Sequence, residues 1–397
     1  MPPVIPSYES YKQAFSGLRM PFAYVDLDLF DANALSIIQR AKGKPVRIAT
    51  KSVRCVHLIN RALQISPAYQ GLMTFTAEET VWLSKLGFDD LLLAYPCWNE
   101  TQLTEICDEI LRGKKIMVMM DSVDHARQFA RIAQSRGCVL PICMDLDLST
   151  TFPGLHFGVN RSPVKSPELA LLLWREVQKL PSLSLQGLMG YEAQIAGLGD
   201  DVPGMGIKGP VVRLLKKQSV ASVRDRRSQT VEFLKREGAP IHLVNGGGTG
   251  SMETTTSEPA VTEITAGSGL FASHLFDYYR NFRHYPAAGF AIEITRMPKP
   301  GIYTCLGGGY IASGSIGREK APLPYLPKGL SLLPNEGAGE VQTPIKYSGM
   351  LNLGDPVLFR HSKAGELCER FNELNLFQGD KIVGQVPTYR GEGKCFL

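Results

Sequence analysis

Short apolar segments alternate regularly with amphipathic stretches along most of the chain, and this alternation constrains the fold more than any other feature. The apolar segments at 90–95, 116–121 and 140–147 are near-continuous hydrophobic runs, which is typical of parallel strands buried on both faces. The segments predicted as strands end near Lys51, Thr76, Tyr95, Asp121, Asp147, Tyr191, Asn245 and Gly267. The helical stretches between them include 54–64, 78–86, 99–112, 123–136, 166–179 and 211–237.

These strand–helix units, eight in number, predict an α/β fold with a (β/α)8 TIM-like barrel over residues 29–285. A doubly wound open sheet is the main alternative, and the number of units favours the barrel. In such a barrel the active site lies at the carboxyl ends of the strands. The residues at the strand ends are therefore candidates for one common site.

The pattern changes after residue 285, where alternating segments separated by turn-rich linkers predict a C-terminal β-rich domain over 286–397. Its predicted strands lie at 290–296, 301–306, 356–360 and 381–386, and the Pro- and Gly-rich stretch 317–349 is predicted to be a long loop. The N-terminal segment, residues 1–28, contains a strand near 22–28 that we expect to join this β domain.

Charge and cysteine usage exclude some classes of protein. The net charge of +5 has no basic run behind it, so a nucleic-acid partner is not indicated. The eight cysteines form no Cys-x-x-Cys pair, which favours reduced thiols in the cytoplasm. The chain lacks a signal-peptide pattern and any apolar stretch near the roughly 20 residues of a membrane span, so no membrane partner is expected.

Lys51 follows the first strand of the predicted barrel, within Arg-Ile-Ala-Thr-Lys-Ser. A desolvated amine near other cations has a lowered pKa and becomes a nucleophile that can form a Schiff base. A lysine at a strand end is more often a solvated surface residue, so the glycine loops later in the chain decide between the two interpretations.

Two glycine loops follow the last two predicted strands, at residues 245–251 (Asn-Gly-Gly-Gly-Thr-Gly-Ser) and 265–269 (Thr-Ala-Gly-Ser-Gly). Glycine lets the backbone approach an anion closely, and Thr249 and Ser251 add hydroxyl groups. Barrels often bind phosphate after strands seven and eight. Two tight structural turns are the alternative, and neither loop matches a P-loop or a Rossmann fingerprint.

The order of these motifs resembles the fold-type III pyridoxal-phosphate enzymes, specifically the D-threonine aldolase and D-serine dehydratase family, which is related to alanine racemase. The resemblance spans residues 20–395. The motifs that carry it are Tyr24-Val-Asp-Leu-Asp, Arg47-x-x-x-Lys51-Ser, Leu92-Leu-Ala-Tyr-Pro, Gly158-Val, Gly187-Leu-Met-Gly-Tyr-Glu, Gly246-Gly-Gly-Thr-Gly and Thr262-Glu-Ile-Thr-Ala-Gly-Ser.

The resemblance implies that Lys51 carries pyridoxal 5'-phosphate as a Schiff base and that Tyr191 lies beside the cofactor. It implies that the cofactor's phosphate is held by Gly247, Gly248, Thr249, Gly267 and Ser268. Family members are often dimers, so a homodimer is expected. Where the family usually has Arg-x-Gly-Val, this chain has His156-Phe-Gly-Val; His156 is a candidate cofactor contact, and the nearby Arg161 is a candidate substitute.

The resemblance also implies a divalent metal, because the family carries His-x-Asp or His-x-Cys in the C-terminal domain. His361 stands at the histidine position and is the candidate catalytic metal ligand, but its partner two residues later is Lys363, which cannot ligate as an ammonium. Glu366 is the first choice for a second ligand, followed by Cys368 and then Glu369. Oxygen ligands suit Mn or Mg, and a thiolate suits Zn. Loss of the metal site is the alternative.

The function that the resemblance implies is lyase chemistry on a small-molecule amino acid substrate. The first choice is retro-aldol cleavage of D-configured β-hydroxy amino acids to glycine and an aldehyde. The second is dehydration to an oxo acid and ammonia. An amino acid racemase, which needs a second base such as Tyr303, Tyr310 or Tyr347, and a pyridoxal-phosphate carrier remain open.

Overall fold

The structure, a computed structural model, describes residues 3–202, 206, 208–314 and 317–397. The described residues form nineteen strands and eleven α-helices. The strands are β1 (Phe22–Asp26), β2 (Val46–Ala49), β3 (Tyr69–Thr74), β4 (Leu91–Leu93), β5 (Ile116–Met120), β6 (Leu140–Asp145), β7 (Thr150–Phe152), β8 (Leu155–Phe157), β9 (Leu183–Gly190), β10 (Leu243–Gly246), β11 (Glu263–Ala266), β12 (Ala288–Lys299), β13 (Ile302–Leu306), β14 (Leu323–Leu326), β15 (Ser331–Leu332), β16 (Gln342–Lys346), β17 (Pro356–Arg360), β18 (Glu373–Gln378) and β19 (Lys381–Pro387).

The helices are α1 (Tyr8–Ala14), α2 (Leu27–Arg40), α3 (Val56–Ile65), α4 (Ala77–Lys85), α5 (Glu100–Leu111), α6 (Val123–Arg136), α7 (Pro167–Val177), α8 (Ala193–Ala196), α9 (Lys208–Arg236), α10 (Met252–Thr255) and α11 (Ser268–Phe271). Short 3-10 helices lie at Thr50–Ser52, His274–Tyr278, Arg318–Lys320 and Ala364–Glu369. No helix among the described residues combines the length and apolar character that crossing a membrane requires.

Eight parallel strands close into a barrel in the order β2-β3-β4-β5-β6-β9-β10-β11, and β11 pairs with β2 to complete it. The predicted (β/α)8 barrel is therefore confirmed. Its centre is filled by a cluster that includes Met119, Cys143 and Met189. Gly187 is required there, because a Cβ atom would lie 2.7 Å from the Met117 sulfur and 3.0 Å from that of Cys143.

The residues that start the helices explain why the chain turns at the carboxyl end of the barrel. The side chains of Thr76, Asn99, Ser122 and Ser166 each accept a hydrogen bond from the backbone N–H three residues later, at the starts of α4, α5, α6 and α7. Such caps satisfy N–H groups that a helix start otherwise leaves unpaired. These caps fix where the connections after β3, β4, β5 and β6 enter the following helices.

A second sheet contains strands from both ends of the chain. The order β15-β16-β13-β12-β1-β18-β19 forms its main path, with β17 joined to β12 and β14 joined to β17. β1 pairs antiparallel with β12 and parallel with β18. We propose that the chain divides into an N-terminal segment, a barrel and a β-rich domain after residues 28 and 285.

The prediction of a long loop over 317–349 is wrong. This stretch contains β14, β15 and β16, of which β16 pairs along its length with β13. Pro324 and Pro344 lie within these strands. Proline weakens a strand signal in the sequence, because it cannot donate to a ladder. Among the described residues β14 pairs with β17 alone, and β15 reaches only Ile345 and Lys346 of β16, so Pro324 and Pro344 each have a partner strand on one side. β18 was also missing from the predicted strands.

Candidate active site at the carboxyl end of the barrel

Lys51 lies at the carboxyl end of β2, in the 3-10 turn Thr50–Ser52. Its backbone is fixed: the Lys51 carbonyl accepts a hydrogen bond of 3.0 Å from Nε of Arg54, and the Thr50 hydroxyl donates to the Met73 carbonyl at 3.0 Å. Its side chain is exposed at the open end of the barrel. The Lys51 Nζ donates a hydrogen bond of 2.7 Å to the Tyr95 hydroxyl, which comes from the end of β4.

The Lys51 ammonium changes the acidity of Tyr95. Burial raises the pKa of the Tyr95 phenol, but the positive charges of Lys51 and Arg161 lower it more, so that the net shift is downward. The charged form of a phenol is favoured by nearby cations and by hydrogen bonds that it accepts. The pair can therefore exchange a proton at Lys51 Nζ more readily than an isolated lysine and tyrosine.

Arg161 joins this pair to Tyr191. Its guanidinium lies 5.9 Å from the ring centre of Tyr95 and 5.7 Å from that of Tyr191. Burial and the neighbouring Glu192 raise the pKa of Tyr191 to about 12, with Arg161 opposing. Asp145 ends β6 on the same side; burial and the Asp121 charge raise its pKa to about 7, and Arg161 again opposes. Arg161 is thus the cation shared by these groups.

His156 lies elsewhere. It is exposed on β8, in an antiparallel hairpin outside the barrel, where it pairs with Thr151 of β7. Of the two residues that the sequence offered in place of the family arginine, the structure brings Arg161 to the tyrosines and leaves His156 on the hairpin.

The two glycine loops (residues 245–251 and 265–269) are joined by a hydrogen bond of 3.0 Å from the Gly269 N–H to the Thr249 hydroxyl. Gly247 has φ +91°, which favours glycine. A Cβ atom on Gly248 would lie 3.0 Å from Cβ of Ala196 and 3.4 Å from the Tyr191 ring. The backbone here lies against Tyr191 without a side chain between them.

The second glycine loop packs against the turn that carries Lys51. The hydroxyls of Ser52 and Ser268 are 2.9 Å apart, and a Cβ atom on Gly267 would lie 2.6 Å from the Ala49 carbonyl oxygen. Lys51, Thr249 and the serine pair therefore belong to neighbouring strand ends. Hydroxyls and closely approaching glycine backbone are groups that bind phosphate.

A buried ionic network supports the first glycine loop. Glu192 accepts hydrogen bonds from the Gly247 N–H at 3.3 Å and the Ser251 hydroxyl at 2.9 Å. The Arg227 guanidinium of α9 pairs with Glu192 at 2.9 Å and with Glu258 at 2.5 Å. All three charged side chains are almost fully buried. Both carboxylates pair with the single Arg227 guanidinium, and Glu192 connects this ionic network to the glycine loop.

The predicted metal ligands differ in their surroundings: Cys368 and Glu366 are hydrogen-bonded to other groups, whereas His361, in the part of the chain that the structure describes, is not. His361 is fully buried, and neither of its ring nitrogens has a hydrogen-bond partner among the described residues. Burial, with Arg360 and His274, lowers its pKa to about 3, so the imidazole is neutral. The Cys368 thiol is also fully buried and donates to the Val53 carbonyl at 3.2 Å. Glu366 accepts hydrogen bonds from the backbone N–H of Ser313 at 3.2 Å.

A neutral, unpartnered imidazole is the form of histidine that ligates a metal, so His361 alone fits that role. Glu366 and Cys368 do not complete a site with it, because each is hydrogen-bonded to a different group, Ser313 and the Val53 carbonyl respectively. Across the described part of the chain, no group of three or more His, Cys, Asp and Glu side chains is arranged to hold a metal ion.

The segment after His361 nevertheless packs on the turn that carries Lys51. A Cβ atom on Gly365 would lie 1.9 Å from the Lys51 carbonyl oxygen, so this glycine allows backbone contact. Glu369 of the same 3-10 helix pairs with Arg54 at 2.5 Å. The β sheet thus contributes residues 363–369 to the edge of the site.

Three features of the site were not among the predicted site residues. Tyr95 was predicted only as the end of a strand. Its place in the motif Leu92-Leu-Ala-Tyr-Pro could have indicated that it belongs to the site. Glu192 follows Tyr191 directly, but its partner Arg227 lies in the middle of a long, mostly polar helix, where nothing in the sequence marks it as buried. Lys363 was noted only as a residue that cannot ligate.

Comparisons with known proteins agree with this geometry. Residues 25–273 match the family described as alanine racemase, N-terminal domain. The D-threonine aldolase of Arthrobacter sp is 21% identical over 257 residues, which are 63% of this chain and 60% of that protein's length. Among solved structures, the D-threonine aldolase from Filomicrobium marinum has a TM-score of 0.79 at 18% identity, covering 94% of this chain and 96% of the other.

The D-threo-3-hydroxyaspartate dehydratase from Delftia sp. HT23 has a TM-score of 0.76, also at 18% identity, over 94% of this chain and 98% of that chain. A closed parallel barrel with a lysine at its open end, completed by a β sheet, defines the class as the fold-type III barrel of alanine racemase type. The chain belongs to the alanine racemase N-terminal domain family, it is similar in sequence to a D-threonine aldolase, and it is similar in fold to D-threo-3-hydroxyaspartate dehydratase.

Pyridoxal phosphate is the cofactor expected for this fold, and the residues present fit it. The exposed Lys51 amine lies beside the Tyr95 phenol, whose ring is also near Arg161, and the Gly248 backbone approaches Tyr191 closely because it carries no side chain.

Proposed function

We propose that this protein is a pyridoxal-phosphate-dependent lyase that cleaves D-configured β-hydroxy amino acids to glycine and an aldehyde. The observation that carries the proposal is the Lys51–Tyr95 pair at the open end of the barrel, with two linked glycine loops of which the second packs against the Lys51 turn. Similarity to the D-threonine aldolases of Arthrobacter sp and Filomicrobium marinum supports the substrate class.

In this proposal Lys51 holds the cofactor covalently, and Gly247, Gly248, Thr249, Gly267 and Ser268 hold its phosphate. When bound, the cofactor supplies an electron sink for cleavage of a bond at the substrate's Cα. Tyr191 and Arg161 would then lie beside the cofactor, and the Tyr191 ring would help to orient it.

The chain's own residues move the protons. When a substrate amine takes its place on the cofactor, the Lys51 amine would be free and would keep Tyr95 as its hydrogen-bond partner. Tyr95, whose phenol is acidified by Lys51 and Arg161, accepts or returns a proton at Lys51 Nζ. Proton transfer of this kind is efficient when the pKa of the group lies near the working pH. The buried Arg227 network keeps the glycine loop fixed throughout.

A second function has its own support in the similarity to D-threo-3-hydroxyaspartate dehydratase. In a dehydration, Lys51 would remove the Cα proton, hydroxide would leave from Cβ, and the product would be an oxo acid with ammonia. Both reactions use the same lysine and the same loops, so these residues do not distinguish the two. The identity of the products does.

The test is product analysis with purified holoenzyme and D-threonine, D-phenylserine and D-serine, with the L-isomers as matched controls. We expect glycine and an aldehyde from the D-isomers of threonine and phenylserine, and neither product from the L-isomers. Oxo acid and ammonia would establish the dehydratase instead. A racemised amino acid, or no product with cofactor bound, would contradict both lyase functions and favour a racemase or a cofactor carrier.

The proposal includes a homodimer in the cytoplasm. Seven of the eight cysteines are buried free thiols, which suits a reducing compartment. Size-exclusion chromatography with light scattering measures the oligomeric state directly.

A further inference from the structure

We propose that the Lys363 ammonium binds the β-oxygen of the substrate in the position where related enzymes are expected to use a divalent metal, so that this chain works without one. The inference rests on the proposed function for the identity of the substrate. Its structural part concerns only the residues after His361 and stands on their contacts.

The donors near His361 do not form a metal site, because each is committed to another partner. The Cys368 thiol donates to the Val53 carbonyl at 3.2 Å and is fully buried. Glu366 accepts from both the amide and the hydroxyl of Ser313. Among the described residues, these side chains and His361 do not make up a group of three or more donors that could hold an ion. Divalent ions need several converging ligands.

Lys363 lies in the chain where a second ligand would be expected, two residues after His361, and it lies at the edge of the site. It directly precedes the 3-10 helix Ala364–Glu369. Two residues further on, the Gly365 backbone touches the Lys51 carbonyl. The Lys363 side chain therefore starts beside the turn that carries the proposed cofactor lysine.

The Lys363 ammonium is oriented by two neighbours. Its Nζ donates a hydrogen bond of 2.5 Å to the Ser313 hydroxyl and lies 3.8 Å from the Glu366 carboxylate. Ser313 in turn binds Glu366, so that the three side chains fix one another. An ammonium has three N–H donors. Among the described residues one of these donors is used, in the hydrogen bond to Ser313, and Glu366 lies at ion-pair distance, which leaves two donors for a substrate oxygen.

The Lys363 ammonium would also disfavour a divalent cation bound at His361, two residues earlier in the chain. Like charges within a few ångströms repel one another strongly at a partly buried site. A hydroxyl that accepts a hydrogen bond from an ammonium is held in place and becomes more acidic. A bound metal would have the same two effects on that hydroxyl. The inference adds no covalent step to the proposed reaction.

The first experiment needs no substrate. The metal content of purified holoenzyme is measured by plasma mass spectrometry, and Mn²⁺ is titrated calorimetrically into the wild type, Lys363→Asp and the exposed control Lys346→Gln. We expect substoichiometric metal and no Mn²⁺ binding for the wild type and the control, and binding for Lys363→Asp, which adds an acidic donor two residues after His361. A stoichiometric metal in the wild type, or Lys363→Asp binding no better than the wild type, would overturn the inference.

The second experiment uses the substrate that the holoenzyme turns over. We expect EDTA to leave wild-type turnover unchanged and Lys363→Gln to lower kcat about 100-fold, the order of magnitude for loss of one donor at a developing charge. Lys363→Arg should recover part of the loss, and Lys346→Gln should match the wild type. Inactivation by EDTA, or full turnover by Lys363→Gln, would overturn the inference. Failure of the proposed function would show as no turnover by any variant, whereas the metal measurements would still decide the role of Lys363.

Discussion

The hydroxyl oxygen of Tyr95 lies 2.7 Å from the side-chain nitrogen of Lys51, although the two residues are 44 positions apart in the chain. They meet because β2 and β4 are parallel strands of one closed barrel and both residues follow the carboxyl ends of their strands. This pair joins the nucleophile of the proposed site to a group that can accept its proton.

Tyr95 should titrate below an ordinary tyrosine, whose pKa is about 10. The Lys51 and Arg161 charges lower its pKa more than burial raises it, so phenolate forms at lower pH than usual. In the Lys51→Ala variant the largest lowering charge is gone and burial dominates, so the pKa of Tyr95 should rise. The measurement is ultraviolet difference titration of the apoprotein against Tyr95→Phe.

Lys85→Ala, which removes an exposed lysine at the end of α4, is the matched control and should leave the titration as it is. If the phenol of Tyr95 titrates at the same pH with and without Lys51, the electrostatic link between the two residues is wrong.

Gly248 should be required for tight cofactor binding. In Gly248→Ala the new methyl group would lie 3.0 Å from Ala196 and 3.4 Å from the Tyr191 ring, so it would displace the loop that is proposed to hold the cofactor's phosphate. We expect an affinity for pyridoxal phosphate about ten-fold lower, equivalent to roughly 1.4 kcal/mol, measured by absorbance titration of the apoprotein. Gly384→Ala, where a Cβ atom meets nothing within 4 Å, should bind like the wild type; equal affinity in both variants would remove Gly248 from the site.

Replacement of Arg227 should lower the free energy of unfolding more than most substitutions in this chain. Its guanidinium compensates two buried carboxylates, Glu192 and Glu258, and deleting one partner of a buried ion pair typically costs about 3–5 kcal/mol. Denaturant unfolding of Arg227→Ala should show a loss of this size. Arg224→Ala, three residues earlier on the same helix and exposed, should change the free energy of unfolding by less than about 0.5 kcal/mol. Similar values for the two variants would contradict the structural role of the network.

The barrel was predictable from the sequence because its strands are buried on both faces and leave continuous apolar runs. The segment predicted to end near Tyr191 does end at Gly190, and the one predicted to end near Gly267 ends at Ala266. The positions of the glycine loops and of Lys51 at strand ends were also predictable, since glycine clusters and motif order are local signals.

Contacts between distant elements were not predictable in the same way. Arg227 lies in a helix whose polar sequence indicates exposure, and only the packing of that helix under the glycine loop buries it. Cys368 and Glu366 carry chemistry that suits a metal, but neighbouring groups, the Val53 carbonyl and Ser313, decide which way each side chain points. The hairpin of β7 and β8 likewise places His156 outside the barrel although its motif position suggested the site.

The central claim, that Lys51 is the residue that carries the cofactor, can be measured without knowing the substrate. Reduction of the holoenzyme with borohydride fixes the pyridoxyl group to its lysine, and mass spectrometry of the digested protein locates it. We predict a single modified peptide, the one containing Lys51, in the wild type and in Lys85→Ala, and none in Lys51→Ala. A pyridoxyl group on any other lysine, Lys363 included, or its persistence in Lys51→Ala, would contradict the account.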